Sequence, residues 1–187
     1  MTGEDNGEHD RSRRFCDAAL PYLDDVYTLA RYLMRNPADA EDAAQECYVR
    51  ALRHFDSYRG PEMKPWLLTI LRNVCNAEFA RRRRKQETPT DFSEHEPAAE
   101  ELPIWQEPTS SPETTMVRRQ KDDTIRRLVA ELPQPFREVI VLREINDLSY
   151  QEIAEVAGVP MGTVMSRLAR ARSMLRAAWN GAEGAMP

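Results

Sequence analysis

With 187 residues, of which 41% are apolar, the chain is long enough for one ordinary domain or two small ones with packed cores. It contains no apolar run of about eighteen residues and starts with an acidic stretch, which excludes a membrane-spanning helix and a secretory signal and predicts a cytoplasmic protein without stable membrane insertion. The net charge of −5 is uneven: residues 1–10 and 86–117 carry −4 and −8, whereas residues 11–85 and 118–187 carry +5 and +2, so two basic blocks flank an acidic segment.

The cysteines and histidines show no ligand pattern. Cys16, Cys47 and Cys75 are spaced 31 and 28 residues apart, which fits neither a disulfide framework nor a CxxC metal knuckle. Buried, reduced thiols are therefore favoured over redox sensing. We expect no metal site and no cofactor.

The acidic stretch at residues 1–10 predicts a disordered N-terminus, and the basic block that follows predicts three helices. Apolar residues recur at helical spacing over residues 21–34. Asn36-Pro37 has the chemistry of a helix start, an N-cap followed by proline, and a second helix with one apolar and one polar side follows it. After the break at Gly60-Pro61, a third amphipathic helix is expected over residues 65–84.

Residues 86–113 differ from both blocks in composition. They contain five prolines, eight acidic residues and no Lys or Arg, so they cannot bury enough apolar surface to offset chain entropy. A flexible, largely disordered linker is expected. One apolar cluster interrupts it at residues 102–105, and this cluster is either a docking point or a chance group of hydrophobic residues.

The second predicted domain, residues 114–180, contains most of the second basic block and also predicts helices only. Ser149 and Glu152 have the spacing of a capping box, which starts a helix. Gly158 suits the left-handed turn between two helices that meet at a steep angle. These features predict a helix-turn-helix, and the whole chain reads as all-α: two small helical domains joined by an acidic, proline-rich linker.

The second helix of this motif carries charge of one sign, because residues 160–180 contain four arginines and no acid. Arginines and small hydroxyls near the start of such a helix suit the major groove of DNA, where Arg pairs with guanine edges and hydroxyls engage phosphate. A solvated basic face is the alternative, but the cap, the hinge glycine and the charge together favour DNA binding. The candidate residues are Met161, Thr163, Ser166, Arg167 and Arg170.

Three ordered motifs resemble the extracytoplasmic-function (ECF) sigma factors of bacterial RNA polymerase. They are NPADAEDAAQECYVRAL at residues 36–52, KPWLLTILRNVCNAEFARRRR at residues 64–84, and LPQPFREVIVLREINDLSYQEIAEVAGVPMGTVMSRLARAR at residues 132–172. Together they are far more specific than a lone helix-turn-helix, which also serves repressors and activators. The resemblance implies sigma region 2 at residues 11–85, region 4 at residues 114–180 and a tail at residues 181–187.

The resemblance also implies roles for particular residues. The polar side of the second helix would bind the β′ clamp helices of core RNA polymerase, with the β flap as a further polymerase contact; an ordinary solvated helix face has the same pattern. The residues of that side are Asp42, Gln45, Glu46 and Arg50. The loop at residues 57–63 and the outward face of the third helix would hold the −10 element. The −10 candidates are Tyr58, Thr69, Arg72, Asn73, Asn76 and Arg83.

The implied function is promoter-specific transcription initiation without enzymatic activity. The resemblance assigns the helix-turn-helix candidates at residues 161–170 to double-stranded DNA at the −35 element, and melted, single-stranded DNA at −10 is the second expected nucleic-acid partner. An anti-sigma factor clamped between the domains is the expected regulator. The rivals are a helix-turn-helix activator or repressor without sigma activity, and an interaction protein whose DNA-like helix is vestigial. Two residues depart from the family pattern: Ala77 stands where many members have aspartate, which leaves the −10 sequence open, and Met165 where many have lysine.

Overall fold

The structure is a computed structural model that describes residues 4–87 and 124–183. Every secondary-structure element in these two ranges is helical, which confirms the all-α prediction. The predicted linker falls almost entirely outside the described residues, as does its apolar cluster at residues 102–105. Within the described ranges, no helix is both long and apolar enough to cross a membrane.

The first described range is built from four α-helices and two short 3-10 turns. Their order is α1 (Glu4–Ala19), a turn at Leu20–Tyr22, α2 (Leu23–Met34), α3 (Pro37–His54), a turn at Phe55–Ser57, and α4 (Met63–Glu87). Helix α2 packs against both α3 and α4, and these two also pack against each other. The fully buried Leu29, Leu67 and Leu71 lie in the apolar stripes expected from the sequence, so the predicted stripes form this core.

Helix α1 differs from the sequence prediction, because it includes residues 4–10, whose acidic composition predicted disorder. Its other end is firmly anchored: Phe15 is buried, with its ring in edge contact with Phe55 at 5.4 Å between centroids. The guanidinium of Arg11 donates to the carbonyl of Leu52 at 2.7 Å and binds Asp56 at 2.7 Å. Helix propagation from an anchored turn is favourable, which accounts for the extension toward the N-terminus.

The second described range contains the predicted helix-turn-helix. Helix α5 covers residues 124–131, and α6 (Gln134–Glu144), α7 (Tyr150–Ala157) and α8 (Met161–Glu183) follow. The capping box is formed: the backbone nitrogen of Glu152 donates to Ser149 Oγ at 3.3 Å, and that of Ser149 donates to the Glu152 carboxylate at 2.7 Å. Gly158 ends α7 with φ of 61°, in the left-handed region that glycine adopts without steric cost.

The two halves of the protein pack against each other. Helix α2 contacts α6, and α4 contacts α7. Buried side chains from both halves form one continuous hydrophobic cluster, which extends from Phe15 in α1 to Ala171 in α8. The helix-turn-helix therefore sits directly on α4, the helix that carries all of the −10 candidates except Tyr58.

Candidate nucleic-acid interface

Helix α8 presents the predicted −35 residues on the side that faces away from the core. Val164, Leu168 and Ala171 are buried and fix the orientation of the helix. Of the candidates, Met161, Ser166 and Arg170 are exposed, and Thr163 and Arg167 are partly buried. The Ser166 hydroxyl donates to the carbonyl of Thr163 at 3.0 Å. The outward side therefore combines hydroxyls and arginines without an acid, which suits phosphate contacts and the pairing of arginine with guanine in the major groove.

Met165 adds an apolar surface to this side of α8. It is 52% exposed, and Met161, four residues earlier, is 53% exposed, so the two side chains are neighbours on the helix surface. In the sequence, Met165 stands out only as a departure from the lysine found in many family members. Its position outside the inward stripe that contains Val164 could have identified it as an exposed apolar residue.

The loop before α4 places an aromatic pair at the predicted −10 surface. The rings of Tyr58 and Trp66 lie 4.8 Å apart between centroids and are tilted by 42°. Gly60 permits this arrangement, because a Cβ at that position would lie 3.0 Å from the Tyr58 ring. Trp66 is partly buried against the hydrophobic core, so it has the structural role that is usual for tryptophan.

Three of the −10 candidates lie open on α4. Asn73, Asn76 and Arg83 are exposed, and their amides and guanidinium face solvent. Thr69 is partly buried, and its hydroxyl donates to the carbonyl of Pro65 in its own helix at 2.8 Å. This side of α4 therefore carries amide groups suited to unpaired bases and a cation suited to phosphate.

Arg72 is the −10 candidate whose position differs from the expected open arrangement. Its Nε donates to the carboxylate of Glu138 in α6, and the two side chains are 23% and 7% exposed. Burial raises the pKa of Glu138, while the charges of Arg72 and Arg167 oppose this shift. Glu138 could not be found from the sequence, because the two partners are 66 residues apart and no local pattern connects them.

The basic run at the end of α4 is partly neutralised by acids of the same domain. Arg81 and Arg82 bind Glu78 at 2.7 and 2.8 Å, and these hydrogen bonds lower the pKa of Glu78 to about 2. Arg82 also contacts Asp39 of α3 at 2.6 Å. Arg83 therefore stands out in this run as an exposed candidate for phosphate binding.

The predicted polymerase-binding residues share one face of α3. Asp42 and Gln45 are exposed, whereas Glu46 and Arg50 form an ion pair at 2.6 Å with both side chains 43% exposed. Val49 lies on the same face and is 43% exposed. It was missed in the sequence, although it is an apolar residue that falls outside the buried stripe of α3. The face thus offers charge, an amide and one apolar contact to a partner helix.

The prediction of buried thiols is right for two of the three cysteines. Cys47 and Cys75 are buried as expected, and burial is the main cause that raises the pKa of each thiol to about 12. Cys16 is exposed, contrary to expectation. It directly follows the buried Phe15 in α1, so its side chain lies outside the buried side of that helix. Within the described ranges, no three His, Cys, Asp or Glu residues are grouped to hold a metal ion.

Comparison with known proteins gives matches to both halves. A family model described as sigma-70 region 2 matches residues 19–85, and one described as sigma-70 region 4 matches residues 122–175. The ECF RNA polymerase sigma factor SigW of Bacillus subtilis is 34% identical over 167 residues, which cover 87% of this chain and 87% of that protein. The ECF RNA polymerase sigma-E factor of Escherichia coli strain K12 is 35% identical over 144 residues, with 73% and 72% covered.

A solved structure shows the same arrangement of helices. The sigma factor RpoE from Bartonella quintana, crystallised with the anti-sigma factor NepR, matches with a TM-score of 0.68 and 27% sequence identity. The match covers 86% of this chain and 93% of that one, so it spans both halves.

Proposed function

This chain belongs to the extracytoplasmic-function (ECF) sigma factors of bacterial RNA polymerase. On that premise we propose which of its surfaces bind promoter DNA and which bind the polymerase. The protein directs core RNA polymerase to specific promoters. In our proposal residues 11–85 act as region 2 and residues 114–180 as region 4. The polymerase supplies the chemistry of RNA synthesis, so the chain has no enzymatic role, and it works beside the polymerase in the cytoplasm.

The outward side of α8 binds the −35 element in the major groove, and the exposed, one-signed charge of that side is the observation that carries the proposal. Arg167 and Arg170 contact bases or phosphates, Thr163 and Ser166 contact phosphates near the start of the helix, and Met161 contacts an apolar base edge.

The −10 element binds along α4 as a melted strand. Tyr58 offers a ring for stacking, and the amides of Asn73 and Asn76 offer hydrogen bonds to an extruded base. Thr69, Arg72 and Arg83 hold the sugar-phosphate backbone, a contact that weakens as salt rises. The alignment of these residues along one side of a single helix supports this assignment.

Two surfaces bind core polymerase. The face of α3 formed by Asp42, Gln45, Glu46 and Arg50 docks on the β′ clamp helices, and the exposed Val49 adds an apolar contact there. The β flap takes an apolar groove between α5 and the end of α8, lined by Ile125, Leu128, Leu175, Arg176 and Trp179. Leu175 is about 20 Å along α8 from Met161, so the groove and the DNA-binding end are available together.

An anti-sigma factor is the proposed regulator. The similar sigma factor RpoE was solved in complex with the anti-sigma factor NepR. That likeness, which spans both halves of this chain, supports an inhibitor that holds the two halves and blocks their DNA-binding surfaces.

Reconstitution with purified core RNA polymerase tests the proposal. Promoters are first enriched from genomic DNA by the holoenzyme and then transcribed with core polymerase and this protein alone. We expect promoter-specific transcripts, with strand opening at −10 detectable by permanganate. A conventional activator or repressor would give no transcripts without another sigma factor. If Arg167→Ala with Arg170→Ala leaves promoter choice and binding intact, the assignment of α8 to the −35 element is wrong.

A further inference from the structure

One carboxylate lies between the two DNA-binding surfaces of the closed molecule. Glu138 of α6 is 5% exposed and accepts a hydrogen bond from Nε of Arg72, the proposed −10 phosphate contact. Arg167, a proposed −35 contact on α8, is close enough for its charge to act on the same carboxylate. The buried carboxylate of Glu138 thus binds the guanidinium of Arg72, which the proposed contact with DNA also needs.

The turn of the helix-turn-helix covers the same arginine. Nη1 of Arg72 lies 3.6 Å from the position where a Cβ would stand on Gly158. The turn therefore lies at van der Waals distance from the guanidinium, and the left-handed backbone at Gly158 is the reason that glycine is favoured there. Arg72 is therefore enclosed by Glu138 on one side and by the turn on another.

Two further contacts hold the halves together away from Arg72. The Asn146 side-chain nitrogen donates to both the backbone carbonyl and the carboxylate of Asp25, at 3.2 and 3.1 Å. The guanidinium of Arg35 donates to the carbonyl of Ala130 at 2.9 Å. Arg35 ends α2 in the left-handed region, at φ of 63°, which is uncommon for a residue other than glycine. Polar contacts away from Arg72 thus add to the apolar contact between the halves.

We propose that this chain inhibits itself in the closed state, where Glu138 takes the place of a promoter phosphate on Arg72. The inference rests on the proposed −10 role of Arg72. A guanidinium that is held by a carboxylate cannot at the same time form the same hydrogen bond with a phosphate, so DNA binding at −10 and closure exclude each other. Promoter binding therefore requires α6 and α7 to leave α4.

The closed state is opened by a partner that binds only the open one. Opening leaves Glu138 without its cation and exposes part of the continuous apolar cluster, so the free chain stays closed. Core polymerase, bound through α3 and α8, shifts the population toward the open form in proportion to its preference for that form. Inhibition is then relieved on the polymerase, where promoter binding is useful.

The first experiment replaces the acid in the full-length protein. Glu138→Gln keeps the size of the side chain but removes its charge; small-angle scattering reports the radius of gyration, and a short, labelled, mixed-sequence single-stranded DNA reports binding by the free protein. We expect a larger radius and binding tighter by about an order of magnitude. The matched control is Glu144→Gln, since Glu144 pairs with Arg172 inside the same half. Equal radius and equal DNA affinity in the two variants would overturn the proposal.

A charge swap guards against a variant that merely loosens the fold. Arg72→Glu combined with Glu138→Arg should restore the small radius of the wild type while DNA binding stays weak. A compact Glu138→Gln variant, or a swapped variant as open as Glu138→Gln, contradicts the inferred role of this pair.

A tether tests whether opening is required for function. In a Cys16→Ser background, Asp25→Cys and Asn146→Cys are joined by a short, cleavable bis-maleimide. The tethered protein should not support transcription by core polymerase, and cleavage should restore it. Normal transcription by the tethered form would refute self-inhibition. If the tether inhibits but Arg72→Ala leaves −10 binding of the holoenzyme unchanged, closure inhibits the protein, but the −10 role of Arg72 and its competition with Glu138 are wrong.

Discussion

Arg172 of α8 is bound to Glu144 of α6, with Nη2 and Nε of the guanidinium at 2.7 and 3.2 Å from the same carboxylate oxygen. This pair ties the recognition helix to the helix beneath it. Arg170 and Arg172 are both exposed, but Arg172 is partly committed to the fold through its ion pair with Glu144. The distinction separates two arginines that look equivalent in the sequence.

Replacing Arg170 with alanine should weaken binding of the −35 element by about 1–3 kcal/mol if the guanidinium pairs with a base. The loss should then depend on the base pair at one position, because the alanine variant no longer distinguishes it. The measurement is holoenzyme affinity for duplexes substituted at each −35 position, at fixed salt. Arg172→Ala is the contrast: it should lower stability and change base preference little. A uniform loss over all duplexes for Arg170→Ala would assign that residue to phosphate instead.

Met161 and Met165, the exposed methionines near the start of α8, should read thymine through its methyl group. Replacing a −35 thymine with deoxyuridine, which lacks only that methyl, should weaken binding at the position that faces Met161 or Met165. The same DNA change should have little effect on a protein carrying Met165→Ala or Met161→Ala, respectively. Met174, also exposed but further along α8, provides the control as Met174→Ala. Equal deoxyuridine effects in all variants would show that neither methionine touches the methyl.

Charge reversal on α3 should impair assembly with core polymerase. Asp42 is exposed, so Asp42→Lys should leave folding intact and weaken core binding, measured by competition against a labelled sigma factor. Glu46→Gln should have a smaller effect, since Glu46 is already paired with Arg50. Asp17→Lys serves as the control, because it makes the same charge change at an exposed position of α1. Wild-type core affinity of Asp42→Lys would remove this residue from the interface.

One of the three cysteine thiols should react quickly with an external reagent, and the other two should react slowly. Cys16 is exposed, whereas Cys47 and Cys75 are buried with pKa values raised to about 12, so neither buried thiol forms thiolate near neutral pH. A chromogenic disulfide reagent should therefore titrate one thiol in the native protein and all three after denaturation. Cys16→Ser should abolish the native signal. Rapid native reaction of two or more thiols would contradict the buried positions.

Acid should weaken the cap of α7. Hydrogen bonding by Ser149 lowers the pKa of Glu152 below its ordinary value of 4.5. A carboxylate with a lowered folded pKa stabilises the fold fully above its unfolded pKa, and this stability is lost as pH falls through the folded pKa. The difference in free energy of unfolding between wild type and Glu152→Gln, measured by urea denaturation, should be constant above pH of about 5 and shrink below it.

Glu155→Gln is the matched control, because it removes the same charge from an exposed position at the other end of the same helix. A Glu152→Gln difference that stays flat into the acid range would show that the charge of Glu152 does not stabilise the cap.

Local chemistry was sufficient to predict the helix starts and the buried stripes. The cap at Asn36, the capping box at Ser149 and the left-handed turn at Gly158 each depend on residues within a few positions, and all three are formed as expected. Arg72 and Asn146 show the limit of that approach. Their partners, Glu138 and Asp25, are 66 and 121 residues away, and periodicity carries no information about such pairs.

Exposure on a helix was harder to predict than burial. Val49 and Met165 are apolar residues outside the inward stripe, and composition alone does not distinguish such a residue from a tolerated surface hydrophobe. The helical state of residues 4–10 was also missed, because it follows from the anchoring of Phe15 and Arg11 rather than from the acidic residues themselves.

The contact between Tyr58 and Trp66 gives the molecule an optical reporter at the place where the promoter is expected to melt. Indole emission responds to its surroundings, which for Trp66 include the contact with the Tyr58 ring at 4.8 Å and the exposure of a partly buried side chain to solvent. A base that displaces Tyr58 would alter both, so strand separation would be readable as a change of intrinsic fluorescence, without any dye on the DNA or the protein.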